Sequence, residues 1–245
     1  MKNNFVLVIP ARLNSTRLPK KLLINIQGKT IIERTYNCAL KALGEKERII
    51  IATDSNEIKY KCESFGARVI MTSENCLTGT DRVAEVAEIV EADQYINLQG
   101  DEPIFPAEEL KFFIKEVSNN LLDVHTAITK IKNETDFRNL SIPKMVFTNS
   151  KKLLYSSRAA IPGSKFDVFK NAYKHVCIYA FNKKHLELFH RQKQKSTFEL
   201  QEDLEINRFL ELDINVQCVE LTKSGKAVDN VNDLEIVKEY IKNRS

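Results

Sequence analysis

The sequence is poor in the features that mark a stapled, exported or membrane-bound chain. Cysteine occurs five times, as Cys38, Cys62, Cys76, Cys177 and Cys218. No two stand at the short spacing of a zinc site, and an odd, scattered set does not make a disulfide framework. A reducing compartment, the cytoplasm, is expected. Long hydrophobic runs are missing as well: the apolar stretch Phe5–Ile9 is too short for a signal-peptide core and stops at Pro10, with Arg12 close behind. Neither export nor a membrane span is expected. Charge of one sign is scarce, since 37 Lys and Arg against 33 Asp and Glu leave a net +4. That falls far short of a nucleic-acid-binding stripe, and no basic run with interleaved aromatics appears, so any anionic partner should be small. Internal repeats, low-complexity segments and an obvious interdomain linker are also absent. The 245 residues can bury roughly 70–75% of the unfolded surface, enough for one large core, or one core with a smaller appendage, without disulfides or metal.

What the sequence does contain is alternation. Short β-branched runs precede amphipathic stretches: Phe5–Ile9 then Thr30–Leu43, Arg48–Thr53 then Asn56–Phe65, Arg68–Met71 then Asp81–Val90, and Gln94–Leu98 then Pro106–Val117. This predicts βαβ units and a mostly parallel sheet flanked by helices. Ile31, Ile32, Thr35, Ala39, Leu40 and Leu43 share one face of the first helix, which should stop at Gly44, while Ser55 and Thr80 are expected N-caps. After Asp123 the pattern turns to strands, at Val124–Ile131, Lys144–Thr148 and Tyr173–Phe181, broken by the polar stretch Pro162–Asn171. An inserted antiparallel part over about 123–190 within a single domain spanning 1–245 is the expectation. Helices near Glu199–Leu212 and Val231–Asn243 then flank a strand at Ile214–Leu221 that should rejoin the main sheet.

Ligands of open α/β sheets sit outside the carboxyl ends of the strands. The first strand runs there into Pro10-Ala11-Arg12-Leu13-Asn14-Ser15-Thr16-Arg17-Leu18-Pro19-Lys20-Lys21. Two arginines and two lysines among small residues suit a polyphosphate, although a solvated basic loop reads the same way. The loop lacks the glycines of a P-loop or a dinucleotide fingerprint. The fourth strand ends at Gln99-Gly100-Asp101-Glu102-Pro103. There Asp101 is placed to hold a magnesium that bridges phosphate oxygens, or else simply opens a turn before the next helix. Asp229, in a loop before the last helix, is a second metal ligand or that helix's cap, and the local pattern favours the cap. His125, His185 and His190 read as surface residues. His175 shares a strand face with Tyr173, Cys177, Tyr179 and Phe181, a face that the pattern assigns to the core over a polar pocket.

Taken in order, these segments resemble the CMP-Kdo synthetase (3-deoxy-manno-octulosonate cytidylyltransferase) family across nearly the whole chain. The matching pieces are Ile9-Pro10-Ala11-Arg12, Ser15-Thr16-Arg17-Leu18-Pro19 with Lys21, Ala52-Thr53-Asp54, Met71-Thr72-Ser73 and Thr78-Gly79-Thr80-Asp81-Arg82. They continue with Gln99-Gly100-Asp101-Glu102-Pro103, Tyr155, Ser157-Arg158-Ala159, Ile161-Pro162, His175, Ile178-Tyr179 and Val228-Asp229. Sialic-acid cytidylyltransferases are a weaker match. The resemblance implies a Rossmann-like nucleotidyltransferase fold and a homodimer. It also implies a reaction of CTP with a 3-deoxy-ulosonic acid sugar that releases pyrophosphate, in the service of lipopolysaccharide or capsule synthesis. Carried over residue by residue, it assigns Arg12, Arg17 and Lys21 to the triphosphate, Thr78, Gly79 and Arg82 to the cytosine end, and Gln99 to the ribose or sugar, with Ala11 also among the CTP-binding residues. Asp101 and Asp229 would hold magnesium, and Arg158, His175, Tyr179 and Glu205 would face the sugar, the guanidinium suited to its carboxylate. Arg12, Lys21, Asp101 and Asp229 are the implied catalytic set.

The chain also departs from that pattern. Lys20 stands where the loop usually has glycine, Cys177 replaces a glycine after the sugar-site histidine, and Ile206 falls where a glutamine normally lies beside Glu205. Two of these lie in sugar-recognition segments, so an amino-substituted Kdo, another ulosonic acid or a phosphonate is the alternative acceptor. A catalytically silent nucleotide-binding protein is a reading of another class, and the joint presence of Arg12, Lys21, Asp101 and Asp229 speaks against it.

Overall fold

A computed structural model describes residues 4–15 and 17–244. Thr16 of the basic loop lies outside the described residues. In chain order, β1 (Phe5–Ala11) leads through the short β2 (Asn25–Ile26) and β3 (Lys29–Thr30) to α1 (Ile31–Leu43), β4 (Ile49–Thr53), α2 (Asn56–Glu63) and β5 (Arg68–Met71). Then follow α3 (Gly79–Ile89), β6 (Gln94–Leu98), α4 (Ala107–Val117), β7 (Val124–Lys130), α5 (Glu134–Arg138), β8 (Lys144–Phe147) and β9 (Leu153–Ser157). The chain closes with β10 (Tyr173–Phe181), α6 (Lys183–His190), α7 (Thr197–Glu202), α8 (Ile206–Glu211), β11 (Val216–Glu220) and α9 (Val231–Lys242).

The main sheet has the order β11-β7-β10-β6-β1-β4-β5, with the hairpin β8–β9 paired to β10. β1 runs parallel to both β4 and β6, β5 parallel to β4, and β11 parallel to β7, whereas β10 is antiparallel to its neighbours β6 and β7. Because parallel strands are covered on both faces, they read as unbroken apolar runs; Ile49–Thr53 and Gln94–Leu98 are buried throughout. Alternation then splits each strand between two cores. Leu7, Ile9, Ile51 and Ile178 pack with α1, α2, α4 and α9, while Val8, Ile50, Tyr179 and Phe181 pack with α3, α6 and α8. The result is a helix–sheet–helix sandwich. Among the described residues no helix is long and apolar enough to cross a membrane.

The caps explain where the helices start. Thr30 caps α1 by accepting from the Glu33 amide, and Gly44 ends it at φ 72°. Ser55 caps α2 as expected, but α3 is capped by Thr78 and not by Thr80, because Asp81 completes a reciprocal capping box with Thr78. The expected helix 199–212 is two helices, α7 and α8: Asp203 adopts φ 51° and breaks it. Along this stretch Leu200 is exposed, while Leu204 is buried. The last strand rejoins the sheet beside β7. Within 123–190, β7 and β10 sit inside the main sheet, and the hairpin β8–β9 with α5 forms the smaller antiparallel part. The short α5, α6 and β9 have no counterpart in the sequence-based expectation.

Candidate active site

Strand order reverses at β1, which has β4 on one side and β6 on the other. The crevice outside the carboxyl ends of these strands is where such sheets bind ligands. Ala11 ends β1 there and hands the chain to the basic loop. Gly100, just past β6, must be glycine: a Cβ would lie 2.7 Å from the Pro10 carbonyl oxygen. That close approach presses the Gln99–Asp101 turn against the exit of β1. From the far end of the sequence, the Val228 amide donates to the Asp101 carbonyl at 3.0 Å and sets Asp229 beside Asp101. Both carboxylates meet one ammonium: Lys21 Nζ lies 2.5 Å from Asp101 Oδ2 and 3.3 Å from Asp229 Oδ1. Arg17 adds a contact of 3.1 Å to Asp229, and Arg12 is exposed at the start of the same loop. The cap of α9 is Asn230, which leaves the Asp229 carboxylate to the crevice. Lys20 takes the left-handed conformation, φ 50° and ψ 34°, a region glycine enters without the steric penalty other residues bear.

The other side of the crevice is built from α3, β10 and α8. Gly79 opens α3 so close to Gln99 and Pro10 that an added Cβ would sit 3.1 Å from each. Glu205, at the start of α8, accepts from the Thr80 amide at 3.1 Å and from Gln99 Nε2 at 3.1 Å. His175 and Tyr179 lie on β10, buried, with their rings edge to face at 5.5 Å. Thr126 Oγ1 donates to the Ile178 carbonyl at 3.1 Å, so His175 Nε2, 2.9 Å from the same oxygen, is the donor of that pair. Nδ1 is left as an acceptor, with Cys177 Sγ at 3.9 Å. Two sequence-assigned arginines are engaged with protein. Arg82 is buried against Asp54 at 2.5 Å and Thr72 at 2.8 Å. Arg158 bonds the carbonyls of Glu202, Asp203 and Leu140.

A family model described as cytidylyltransferase matches residues 6–216. A 3-deoxy-manno-octulosonate cytidylyltransferase of Chlorobium phaeobacteroides is 37% identical over 243 residues, covering 97% of each chain. One from Chloroherpeton thalassium is 38% identical over 237 residues, 95% of this chain and 96% of that one. This chain belongs to the 3-deoxy-manno-octulosonate cytidylyltransferase family. Among solved structures, a CMP:2-keto-3-deoxy-manno-octonic acid synthetase complexed with CTP superposes with a TM-score of 0.90 at 34% identity, covering 99% of this chain and 100% of that one. A cytidylyltransferase from Leptospira borgpetersenii serovar Hardjo-bovis, at 17% identity and TM-score 0.64 over 98% of this chain and 87% of that one, shares the fold.

The electrostatics of this cytidylyltransferase separate the two sides. Burial drives the Glu205 carboxyl above its ordinary range, opposed by the hydrogen bond from the Thr80 amide. Burial also pushes the Tyr179 hydroxyl well up and holds His175 down at about 3. At neutral pH the imidazole is therefore uncharged and offers a lone pair, the form that receives a hydroxyl proton in a hydrogen bond. Cys177 is raised by burial and by the Glu102 and Glu205 charges, so it remains a thiol. Glu102 itself rises to about 8 through burial and the neighbouring Asp101.

Three corrections concern residues read from sequence alone. His125 is buried on β7, not on the surface, and His190 is half-buried against Asp81 at 3.3 Å. Ile206 is fully buried among the apolar residues of the second core. It packs, and its departure from glutamine does not present a changed surface to the crevice. Sequence reasoning also missed Asp81 and Arg208 as parts of the site's support. The Thr-x-x-Asp spacing at Thr78 was the signal for the first; the second had none, because a buried arginine looks like any helix-surface arginine in sequence.

Proposed function

We infer that this enzyme transfers a cytidylyl group from CTP to 3-deoxy-manno-octulosonate, giving the CMP-sugar and pyrophosphate. The observation that carries the reading is the meeting of Asp101, Asp229 and Lys21 at the strand-order reversal, in a chain related over its whole length to enzymes of that name. The sugar's anomeric oxygen forms a bond to the α-phosphorus while the bond from that phosphorus to the β-bridging oxygen breaks, and the hydroxyl proton passes to water. Arg12, Arg17 and Lys21 hold the triphosphate and stabilise the charge that builds on the departing pyrophosphate. Thr78 and Gly79 receive the base, and Gln99 bridges toward the sugar. Glu205, neutral His175 and Tyr179 orient the acceptor through its hydroxyls. Arg158, its nitrogens bonded to the Glu202, Leu140 and Asp203 carbonyls, would offer its positive charge to the acceptor carboxylate.

Magnesium fits the donor set. Two hard carboxylates already converge on one cation, the Lys21 ammonium, and among the described residues no third acidic, histidine or cysteine ligand joins them. Magnesium is commonly held in this way, by one or two carboxylates together with substrate phosphates. Asp101 and Asp229 would hold it, and when bound it draws charge from the phosphate oxygens. A homodimer, a cytoplasmic location and a place in lipopolysaccharide or capsule synthesis belong to the same proposal. Pyrophosphate release from CTP tests the reading, with Kdo, amino-substituted Kdo, other ulosonic acids and a phosphonate as acceptors, with magnesium and with chelator. Release with Kdo that chelator abolishes is expected. Release with another acceptor alone reassigns the sugar, and release with none overturns the enzyme reading.

A further inference from the structure

Glu205 and Arg208 stand three residues apart at the start of α8, and so on one side of it. Glu205 grips the Thr80 amide directly. Arg208, fully buried, makes a two-pronged pair with Glu199 at 2.6 and 2.6 Å and lies 3.7 Å over the Phe189 ring. Its remaining nitrogen reaches Asp81 Oδ1 at 3.4 Å. Asp81 in turn accepts from the Thr78 amide and hydroxyl through Oδ2, both at 2.8 Å, and meets His190 Nδ1 through Oδ1 at 3.3 Å. The turn Thr78–Thr80 is therefore tied to α8 twice, once from Thr80 to Glu205 and once from Thr78 through Asp81 to Arg208. Stability alone does not call for this. Leu204, Ile206 and Phe209 already anchor the region in the apolar core, and a buried ion cluster often returns no more than its desolvation costs. What directed hydrogen bonds add to apolar packing is a fixed register between two elements.

We propose that Arg208 is a positioning residue that, through Asp81, locks the nucleotide-binding turn and the acceptor-facing Glu205 into one unit, so that occupancy of the turn by CTP sets the acceptor pocket. The inference rests on the cytidylyltransferase reading, and wild-type turnover of CTP with Kdo is measured first. Absent turnover would be a failure of that reading, and turnover without coupling a failure of this one. The test is calorimetric titration of Kdo onto the full chain, with and without α,β-methylene-CTP, for wild type, Arg208→Lys and the paired uncharged replacement Glu199→Gln with Arg208→Met. In wild type the analogue tightens Kdo binding about tenfold, a usual size for coupling between sites. In either folded variant that ratio falls to about one, while affinity for the analogue alone stays within about twofold. The KM for Kdo rises more than kcat falls. Should Arg208→Lys fail to fold, the paired variant decides: folded and uncoupled supports the proposal. A wild-type ratio of one, a ratio preserved in a folded variant, or parallel loss of both affinities overturns it and leaves Arg208 as scaffold only.

Discussion

The two sides of the crevice hold their charges in opposite ways. On the side proposed for the triphosphate, Arg17 and Asp229 pair with their side chains 63% and 41% exposed, and Lys21 and Asp101 pair more deeply, at 12% and 24%. On the side proposed for the acceptor His175, Tyr179 and Arg208 are buried, Glu205 is half-buried, and all four are bonded to protein partners. Exposed ion pairs such as Arg17–Asp229 are worth about 0–1 kcal/mol, so a ligand of high charge can replace that pair at little cost. Enclosed polar groups cannot lose a partner so cheaply. On the proposed function the charged substrate would meet a side that exchanges partners, and the hydroxyl-bearing substrate one that is already set.

Asp101→Asn should break this contrast most visibly. Neutralising the carboxylate on the exchanging side should cut kcat by at least about a hundredfold, about 2.7 kcal/mol. The melting temperature should move by only a few degrees, about what surface changes give. Near-normal turnover at low magnesium would remove Asp101 from the chemistry. Ile206→Gln probes the enclosed side, where a buried amide replaces packed methyl groups. Urea unfolding should show a loss of about 2–3 kcal/mol, with the ratio of specificity constants between Kdo and its analogues unchanged among surviving molecules. Intact stability with an altered ratio would place that side chain in the acceptor pocket after all. Arg17→Ala gives the smallest effect. Unfolding free energy should drop by less than about 1 kcal/mol, and the KM for CTP should rise about fivefold, about 1 kcal/mol of lost binding. A large fall in stability with unchanged CTP kinetics would make the basic loop structural.

The sheet could be read from sequence because each parallel strand is buried on both faces and appears as an apolar run, as Ile49-Ile50-Ile51 does. Asp101 was legible for a related reason: a carboxylate directly after such a strand falls at the carboxyl edge. Helix α6 could have been found, since Asn182 caps it and Leu186 and Phe189 stand three apart on the buried side. The break at Asp203 could not, because the apolar spacing runs on past it and the left-handed residue is an aspartate, not a glycine. Pairings between distant segments were equally hidden. That Lys21 joins Asp101 and Asp229, or that Arg208 faces Glu199 and Asp81 with no solvent contact, depends on which segments the sheet order brings together. The family resemblance supplied roles for single residues, and the geometry shows that Arg82 and Arg158 also brace the protein itself.

The sheet has a seam with consequences for how the chain is made. β1, β4, β5 and β6 use only residues 5–98, whereas β10 alone joins that block to β7 and β11. A nascent chain has the strands of that block once residue 98 is added, but the connecting strand is not complete until residue 181. The partner carboxylate at Asp229 is translated later still, held in place by the Val228 amide on Asp101. A product cut short after α8 would keep the strands of the first block, the basic loop and Glu205 yet hold one carboxylate of the pair, so on the proposed mechanism competence waits for the loop that carries Asp229.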